Sequence, residues 1–325
     1  MQMHKREASP HMDLSIVVPV YNESPNLRPL YAQVVAALAG TTLDYELLLV
    51  DDGSADDSFA VARELALADP RLRVIRLRRN FGQTAAMAAG FDAARGDVIV
   101  PMDGDLQNDP EDIPRLLEKI GEGFDVVSGW RQDRRDKLLS RRLPSVLANR
   151  LISRMTGVHL HDYGCTLKAY RREVLSQINL YGEMHRFVPA LASQVGANVA
   201  ELPVNHRPRL AGASKYGIDR TLRVILDLIT VKFMLKYSTR PMQLFGKWGI
   251  WIFAGGTFSG MATLYMKWFD GLPMNRNPLL ILTAFLLFSG VQLVVMGLLG
   301  EIVTRTYHET QDKPIYIVRD RVNFD

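Results

Sequence analysis

Two stretches late in the chain carry no charged residue: Trp248–Met266, of 19 residues, and Pro278–Gly300, of 23. A helix needs about 20 apolar residues to cross a hydrocarbon layer roughly 30 Å thick, so both runs are expected to be membrane-spanning helices. The short linker Lys267–Arg276 makes them a hairpin. Lys232, Lys236, Arg240 and Lys247 precede the pair and Arg305, Lys313 and Arg319 follow it, against Lys267 and Arg276 in the linker. Basic residues concentrate on the cytoplasmic side. Seven against two therefore puts both termini and everything before the hairpin in the cytoplasm, with the chain integral to an inner or plasma membrane. Gly256 and Gly260 form a GxxxG step that permits close helix approach, within or between subunits.

The mean hydropathy of −0.02 averages this segment with an ordinary soluble one. The 325 residues allow a large domain with an appendage, and a single cysteine, Cys165, excludes a disulfide within the chain and a Cys-based zinc site. A net charge of +4 is mild and dispersed, and no segment interleaves basic and aromatic residues, so no nucleic-acid partner is expected. The first dozen residues lack an apolar stretch and read as a polar arm rather than a signal peptide. The expected organisation is a polar arm (1–13), a soluble domain (14–218), amphipathic juxtamembrane helices (219–246), the hairpin (247–301) and a cytoplasmic tail (302–325). Asp219–Lys236, with Leu222, Ile225, Leu226, Ile229 and Phe233 on one side, fits a helix in the headgroup layer or one packed on the domain. The tail residues Lys313–Val322 could mediate subunit contact by strand pairing, so a homo-oligomer is expected.

The soluble part alternates β-branched runs with amphipathic stretches. Strands are expected at Leu14–Val20, Tyr45–Asp52, Arg71–Leu77, Asp97–Asp103 and Phe124–Trp130. Helices are expected between them at Asn26–Leu38, Asp56–Ala68, Gly82–Ala94 and Pro110–Ile120, and mixed structure from Asp162 to Arg209. This alternation predicts an α/β fold, a mostly parallel sheet with helices on both faces. Ligands of such sheets sit at the carboxyl ends of the strands.

Three acidic segments fall there. In Asp103-Gly104-Asp105-Leu106-Gln107, residues two apart project to one side of an extended chain, so Asp103, Asp105 and Gln107 can converge as an incomplete, all-oxygen site of the kind Mg2+ or Mn2+ favours. Asp51-Asp52-Gly53-Ser54 and Pro19–Glu23 follow the first two strands. A carboxylate there can accept from base or ribose donors and Tyr21 can stack on a base, although helix capping is the alternative for Asp51, Asp52 and Asn22. No GxGxxG or GxxxxGK[ST] is present, so neither a dinucleotide fold nor a P-loop is supported.

Val18–Glu23 (VPVYNE), Val50–Ser54 (VDDGS), Arg79–Ala86 (RNFGQTAA), Met102–Pro114 (MDGDLQNDPEDIP), Asp162–Glu173 (DYGCTLKAYRRE), Gly182–Leu191 (GEMHRFVPAL) and His206–Gly217 (HRPRLAGASKYG) together resemble the family 2 glycosyltransferases. The resemblance is to the polyprenyl-phosphate branch with bactoprenol glucosyltransferases, dolichyl-phosphate mannose synthase and the undecaprenyl-phosphate aminoarabinose transferase. It implies a GT-A catalytic domain, a nucleotide-diphosphate sugar donor, a divalent metal (Mg2+ or Mn2+) and a polyprenyl phosphate acceptor. Carried onto this sequence, it implies that Pro19, Tyr21, Glu23 and Asp52 hold the nucleoside. Asp103 lies near ribose or metal, and Asp105 and Gln107 bind the metal and so the diphosphate. Arg207 and Lys215 would clamp the diphosphate or sugar, and Asp162 would act as base or orienting carboxylate. The absence of Gln-x-x-Arg-Trp argues for a single transfer rather than polymer growth.

The segment Arg131–Arg154 is crowded with arginines, and guanidinium pairs bidentately with phosphate. Arg131, Arg134 and Arg141 are therefore expected to meet the acceptor phosphate, with general attraction to anionic lipid as the alternative. The expected reaction is inverting transfer of a hexose, with UDP-glucose favoured as donor. A GDP-mannose or UDP-amino-arabinose-type donor is one alternative, and a catalytically silent nucleotide-binding membrane scaffold another.

Overall fold

The computed structural model describes residues 12–132, 153, 157–178, 180, 184–207, 241–310 and 315–324. Arg134, Arg141, Lys215 and the amphipathic stretch through Lys236 lie outside them. The chain divides into two units, residues 1–228 with 314–325, and residues 229–313.

The first unit is built on an eight-stranded mixed sheet: β1 Leu14–Val20, β2 Tyr45–Asp51, β3 Leu72–Leu77, β4 Val98–Pro101, β5 Val126–Trp130, β6 Lys168–Arg171, β7 Val199–Pro203 and β8 Val318–Val322. Their order across the sheet is β7-β5-β6-β4-β1-β2-β3-β8. The pairs β1–β2, β1–β4, β2–β3 and β5–β7 are parallel, whereas β4–β6, β5–β6 and β3–β8 are antiparallel. β1 and β2 are buried almost throughout, as β-branched and leucine runs covered on both faces must be. Their side chains alternate between two layers. Ile16, Val18, Val20, Leu47 and Leu49 join Leu27, Leu30, Val34 and Leu38 of α1 (Ser24–Leu38) and Ala62 and Ala66 of α2 (Ser58–Ala68) in one core. On the other face lies α3 (Gln83–Ala93). A Cβ added at Gly90 would sit 2.2 Å from Val17 Cγ1, so this alanine-rich helix packs its backbone close against the sheet. α4 (Ile113–Gly121) follows a 3₁₀ turn at Pro110–Asp112, and the short helices α5 (Arg172–Leu175) and α6 (Val188–Gln194) complete the unit.

β1 has β2 on one side and β4 on the other. The loops after these three strands therefore share one edge, which is the placement that brings the acidic segments together.

The tail corrects an expectation. Instead of seeking a second subunit, β8 pairs antiparallel with β3 of its own chain, from Val74↔Val322 to Leu77↔Val318, with a bulge at Arg76/Leu77. The Asn323 side-chain amide donates to the carbonyls of Ala66 (2.6 Å) and Leu72 (2.8 Å), tying the tail to the end of α2. Tyr316 donates to Asp92 at 2.8 Å.

The second unit is an antiparallel pair, α7 (Pro241–Phe269) and α8 (Pro278–Thr310). Among the described helices, only Pro278–Gly300, of mean hydropathy 2.4, is both long and apolar enough to cross a membrane. Trp248–Met266, also helical, is diluted by glycine, serine and threonine. Those small residues form the seam. A Cβ at Gly249 would lie 2.7 Å from the Gly290 carbonyl oxygen, and one at Gly256 2.9 Å from the Leu287 nitrogen. Thr283 donates to Ser259 Oγ at 2.9 Å beside them. The GxxxG step thus works inside the hairpin. Trp251, Phe258, Trp268, Ile281, Phe285 and Phe288 point outward and are exposed, an apolar exterior of the kind that marks a lipid or protein contact surface.

Candidate active site

The first two loops are stitched together by side-chain hydrogen bonds. Asn22 N–H donates to Ser54 Oγ (2.9 Å) and Ala55 N–H to Asn22 Oδ1 (2.9 Å), while Glu23 N–H donates to Ser58 Oγ (2.9 Å). Asn22 takes φ 56°, a left-handed turn that asparagine tolerates. Pro19 is half-buried in β1 opposite Val50, the Tyr21 ring is 40% exposed, and Glu23 accepts from the Asn26 amide at 2.5 Å.

Asp52 is buried and accepts the backbone N–H of Phe81 (2.7 Å) on one oxygen and of Gly82 (2.9 Å) on the other. Burial pushes its carboxyl above the usual range, and the two N–H donors oppose that. Asp52 thus anchors the loop leading into α3. Gly53 (φ 69°) lets the same loop approach: a Cβ there would sit 2.5 Å from the Arg79 carbonyl carbon.

Asp103 follows β4. Gln83, the first residue of α3, donates to its Oδ1 at 2.9 Å, and the Thr166 hydroxyl donates to its Oδ2 at 2.7 Å. Its own N–H donates to Asn108 Oδ1 at 2.9 Å. Burial raises its carboxyl pKa, with the Asp105 charge next in size, and the Thr166 hydrogen bond acts in the opposite direction. Asp105 Oδ1 accepts the Gln107 N–H at 3.1 Å. Between them Leu106 is buried at φ 63°, a conformation leucine rarely adopts, so the surroundings hold this turn in place. Among the described residues no three His, Cys, Asp or Glu side chains form a ready-made cage. Two repelling carboxylates and an amide oxygen nonetheless fit a hard cation whose shell a ligand's phosphate oxygens complete.

Behind Asp103, Asp162 is buried and bound bidentately by Arg131, with Nε–Oδ2 at 2.6 Å and Nη2–Oδ1 at 3.0 Å. Gly164 N–H adds a third donor at 3.1 Å. Although burial works against its charge, Arg131 is held protonated well above its ordinary range by Asp162. Arg207 is bound in the same bidentate way to Asp109 (2.6 and 3.1 Å) and reaches Gln33 of α1 at 3.1 Å. The structure therefore gives both arginines protein carboxylates as partners.

Residues whose roles the motifs alone did not disclose are Gln83, Thr166, Asn108, Asp109 and the buried Lys168. The Lys168 ammonium donates to the carbonyls of Cys165 and Tyr163. His185 belongs with them. Arg186 Nε donates to its Nε2 (3.3 Å), so the neutral ring carries its proton on Nδ1 and donates to Thr84 Oγ1 (2.7 Å) at the start of α3.

Comparison with known proteins matches residues 15–178 to the family model described as glycosyl transferase family 2. Dodecaprenyl-phosphate galacturonate synthase of Rhizobium johnstonii is 45% identical over 315 residues, covering 95% of this chain and 92% of the relative. Undecaprenyl-phosphate 4-deoxy-4-formamido-L-arabinose transferase of Shewanella sediminis is 39% identical over 310 residues, covering 94% and 92%. Glucosyl-3-phosphoglycerate synthase of Mycobacterium tuberculosis, solved with Mn2+, UDP and glucosyl-3-phosphoglycerate, superposes with a TM-score of 0.54 at 20% identity over 69% of this chain and 80% of that one. That likeness places the first unit in the GT-A fold. With its motifs on one sheet edge and these relatives matched over nearly their full length, the chain belongs to glycosyl transferase family 2 and is a glycosyltransferase.

Proposed function

We propose that the protein transfers one sugar from a nucleotide-diphosphate donor to a polyprenyl phosphate at the cytoplasmic face of a membrane. The observation that carries this is the meeting of the Pro19–Glu23, Asp52–Ser54 and Asp103–Gln107 loops at one edge of the sheet, in a chain 45% identical to a dodecaprenyl-phosphate galacturonate synthase. The relatives' names carry galacturonate and formamido-arabinose, so they lend no support to UDP-glucose. A galacturonate donor becomes the favoured reading for this chain, by analogy with the name of the Rhizobium relative.

In this reading Tyr21, Glu23 and Asp52 border the nucleoside, and Asp103, Asp105 and Gln107 would hold Mg2+ or Mn2+. When bound, the ion neutralises charge developing on the departing diphosphate. The acceptor phosphate, with a second pKa of about 6, is already nucleophilic at neutral pH. One of its oxygens bonds to the anomeric carbon, the bond to the donor diphosphate breaks, and its electron pair leaves with the nucleoside diphosphate, inverting the centre. No strong base is required, which suits Asp162 as an orienting carboxylate: its oxygens already face Arg131 and Gly164.

Membrane insertion is supported by the apolar Pro278–Gly300 and by the aromatic residues of α7. Trp248 and Trp268 are 20 residues apart, roughly 30 Å along a helix, the spacing of two interfacial belts. Because β8 pairs with β3 of the sheet that precedes the hairpin, the segments before and after the hairpin belong to one unit, which supports the reading that both lie on one side of the membrane.

The test is sugar transfer to undecaprenyl phosphate in nanodiscs with UDP-galacturonate, UDP-glucose, GDP-mannose and a UDP-amino-arabinose donor, with Mg2+ or Mn2+ and with chelator. Lipid product that disappears with chelator and in Asp105→Ala is expected. Donor binding without lipid product from any of them refutes the reading and favours a silent scaffold.

A further inference from the structure

We propose that Gln83 and Thr166 are paired positioning residues that hold the Asp103 carboxylate from opposite sides, leaving only its remaining lone pairs for a ligand. The inference rests on the reading of the Asp103–Gln107 turn given above.

A carboxylate oxygen accepts about two hydrogen bonds. At Asp103 one position on each oxygen is already taken, by Gln83 Nε2 at 2.9 Å and by Thr166 Oγ1 at 2.7 Å. The terminal torsion of an aspartate is otherwise broad and roughly two-fold, and repulsion from Asp105 would turn the group away. Two donors from different segments fix that torsion, while Asn108 fixes the backbone beneath it. Preorganisation of this kind matters most where two like charges must face one cation.

The two holders also connect separate parts of the site. Gln83 directly follows Phe81 and Gly82, whose N–H groups bind Asp52. One short segment therefore sets both Asp52 and Asp103. Thr166 lies in the same loop as Asp162, which Arg131 tethers. Neither holder is itself a candidate ligand: each acts through Asp103.

The experiment uses the full chain in nanodiscs and reads Mn2+ affinity in the presence of UDP, by electron paramagnetic resonance, alongside the melting temperature. Thr166→Val keeps the shape and removes the donor, Thr166→Ser restores it, and Gln83→Met removes the other donor at similar length. A hydrogen bond to a charged group is worth enough for about a tenfold change in affinity. Thr166→Val and Gln83→Met are each expected to weaken Mn2+–UDP binding about that much, with Thr166→Ser close to wild type. Adding Thr166→Val to Asp103→Asn should cost nothing further. The positioning role is overturned if either donor-less variant, folded, binds Mn2+–UDP as wild type does. It is equally overturned if the Thr166→Val loss persists undiminished in the Asp103→Asn background. A wild-type chain that binds no Mn2+–UDP removes the reading of the turn itself, and the proposal with it.

Discussion

Replacing Arg131 by Met separates two roles for this arginine, phosphate ligand and internal tether. Its guanidinium and the Asp162 carboxylate are only 15% and 4% exposed, and they meet in two parallel bonds of 2.6 and 3.0 Å. Removing one member of a buried pair strands the other charge, at a cost of about 3–5 kcal/mol. Here Asp162 would keep the Gly164 N–H as a donor, so the lower half of that range applies. For a domain of 150–250 residues each kcal/mol is worth about 2–4 °C of melting temperature. Arg131→Met should therefore melt about 10 °C lower. The double variant Arg131→Met/Asp162→Leu should recover most of that, since no lone charge remains buried. Thermal unfolding of the full chain in nanodiscs, followed by fluorescence, gives both numbers, and titration of polyprenyl phosphate gives the acceptor KM. An Arg131→Met protein that melts like wild type and loses only acceptor affinity would refute the tether and restore the phosphate contact expected from the arginine-rich segment.

Other consequences are measurable in the same preparation. The His185 pKa is held down at about 3 by burial, with Arg186 and Lys168 adding to the effect. Its unfolded value is near 6.5, so its stabilisation is complete above that pH and is lost as pH falls toward 3, at up to about 1.4 kcal/mol per unit. His185→Gln should flatten the decline of urea stability between pH 7 and pH 5, and an unchanged slope would count against the buried neutral ring. Gly53→Ala must hold φ 69° with a Cβ 2.5 Å from backbone, so a loss of about 1–3 kcal/mol in a denaturant melt is expected, and a neutral variant would contradict the close approach. Asn323→Ala leaves the Ala66 and Leu72 carbonyls without its amide, which should cost about 1–3 kcal/mol and speed hydrogen exchange in β3. Unchanged exchange would show that the tail strand docks without that side chain.

The first half of the sheet was legible because its strands are buried on both faces, and burial of that kind writes itself as uninterrupted β-branched and leucine runs. Leu14–Val20 was read to the residue, and where the other expected strands differ from the observed ones an end shifts by one or two positions. The later strands carried no such signature. β7 is only partly buried along its length, and β8 (VRDRV) is an edge strand for which the sequence suggests strand pairing but not the partner. Nothing local in that pentapeptide announces a partner 240 residues earlier. The pairing is decided by the open edge of β3 and by Asn323 reaching the end of α2.

At the site, the carboxylates could be found by position, because strand ends of parallel sheets collect ligands. Their partners could not. Asp52, Asp162 and Arg207 stood in the sequence as groups facing a substrate, and each is engaged by a protein partner far along the chain: Phe81, Arg131 and Asp109, 29, 31 and 98 residues away. A buried carboxylate beside another carboxylate stays ionised and oriented only if donors converge on it. That requirement makes the supporting residues as necessary as the ligands themselves, yet it specifies only a donor and not which of Gln, Thr, Arg or a backbone N–H supplies it. Such residues are chosen by the three-dimensional packing of loops. For that reason Gln83 and Thr166, inside motifs already noticed, acquired a role only once the two segments that carry them were seen on either side of Asp103.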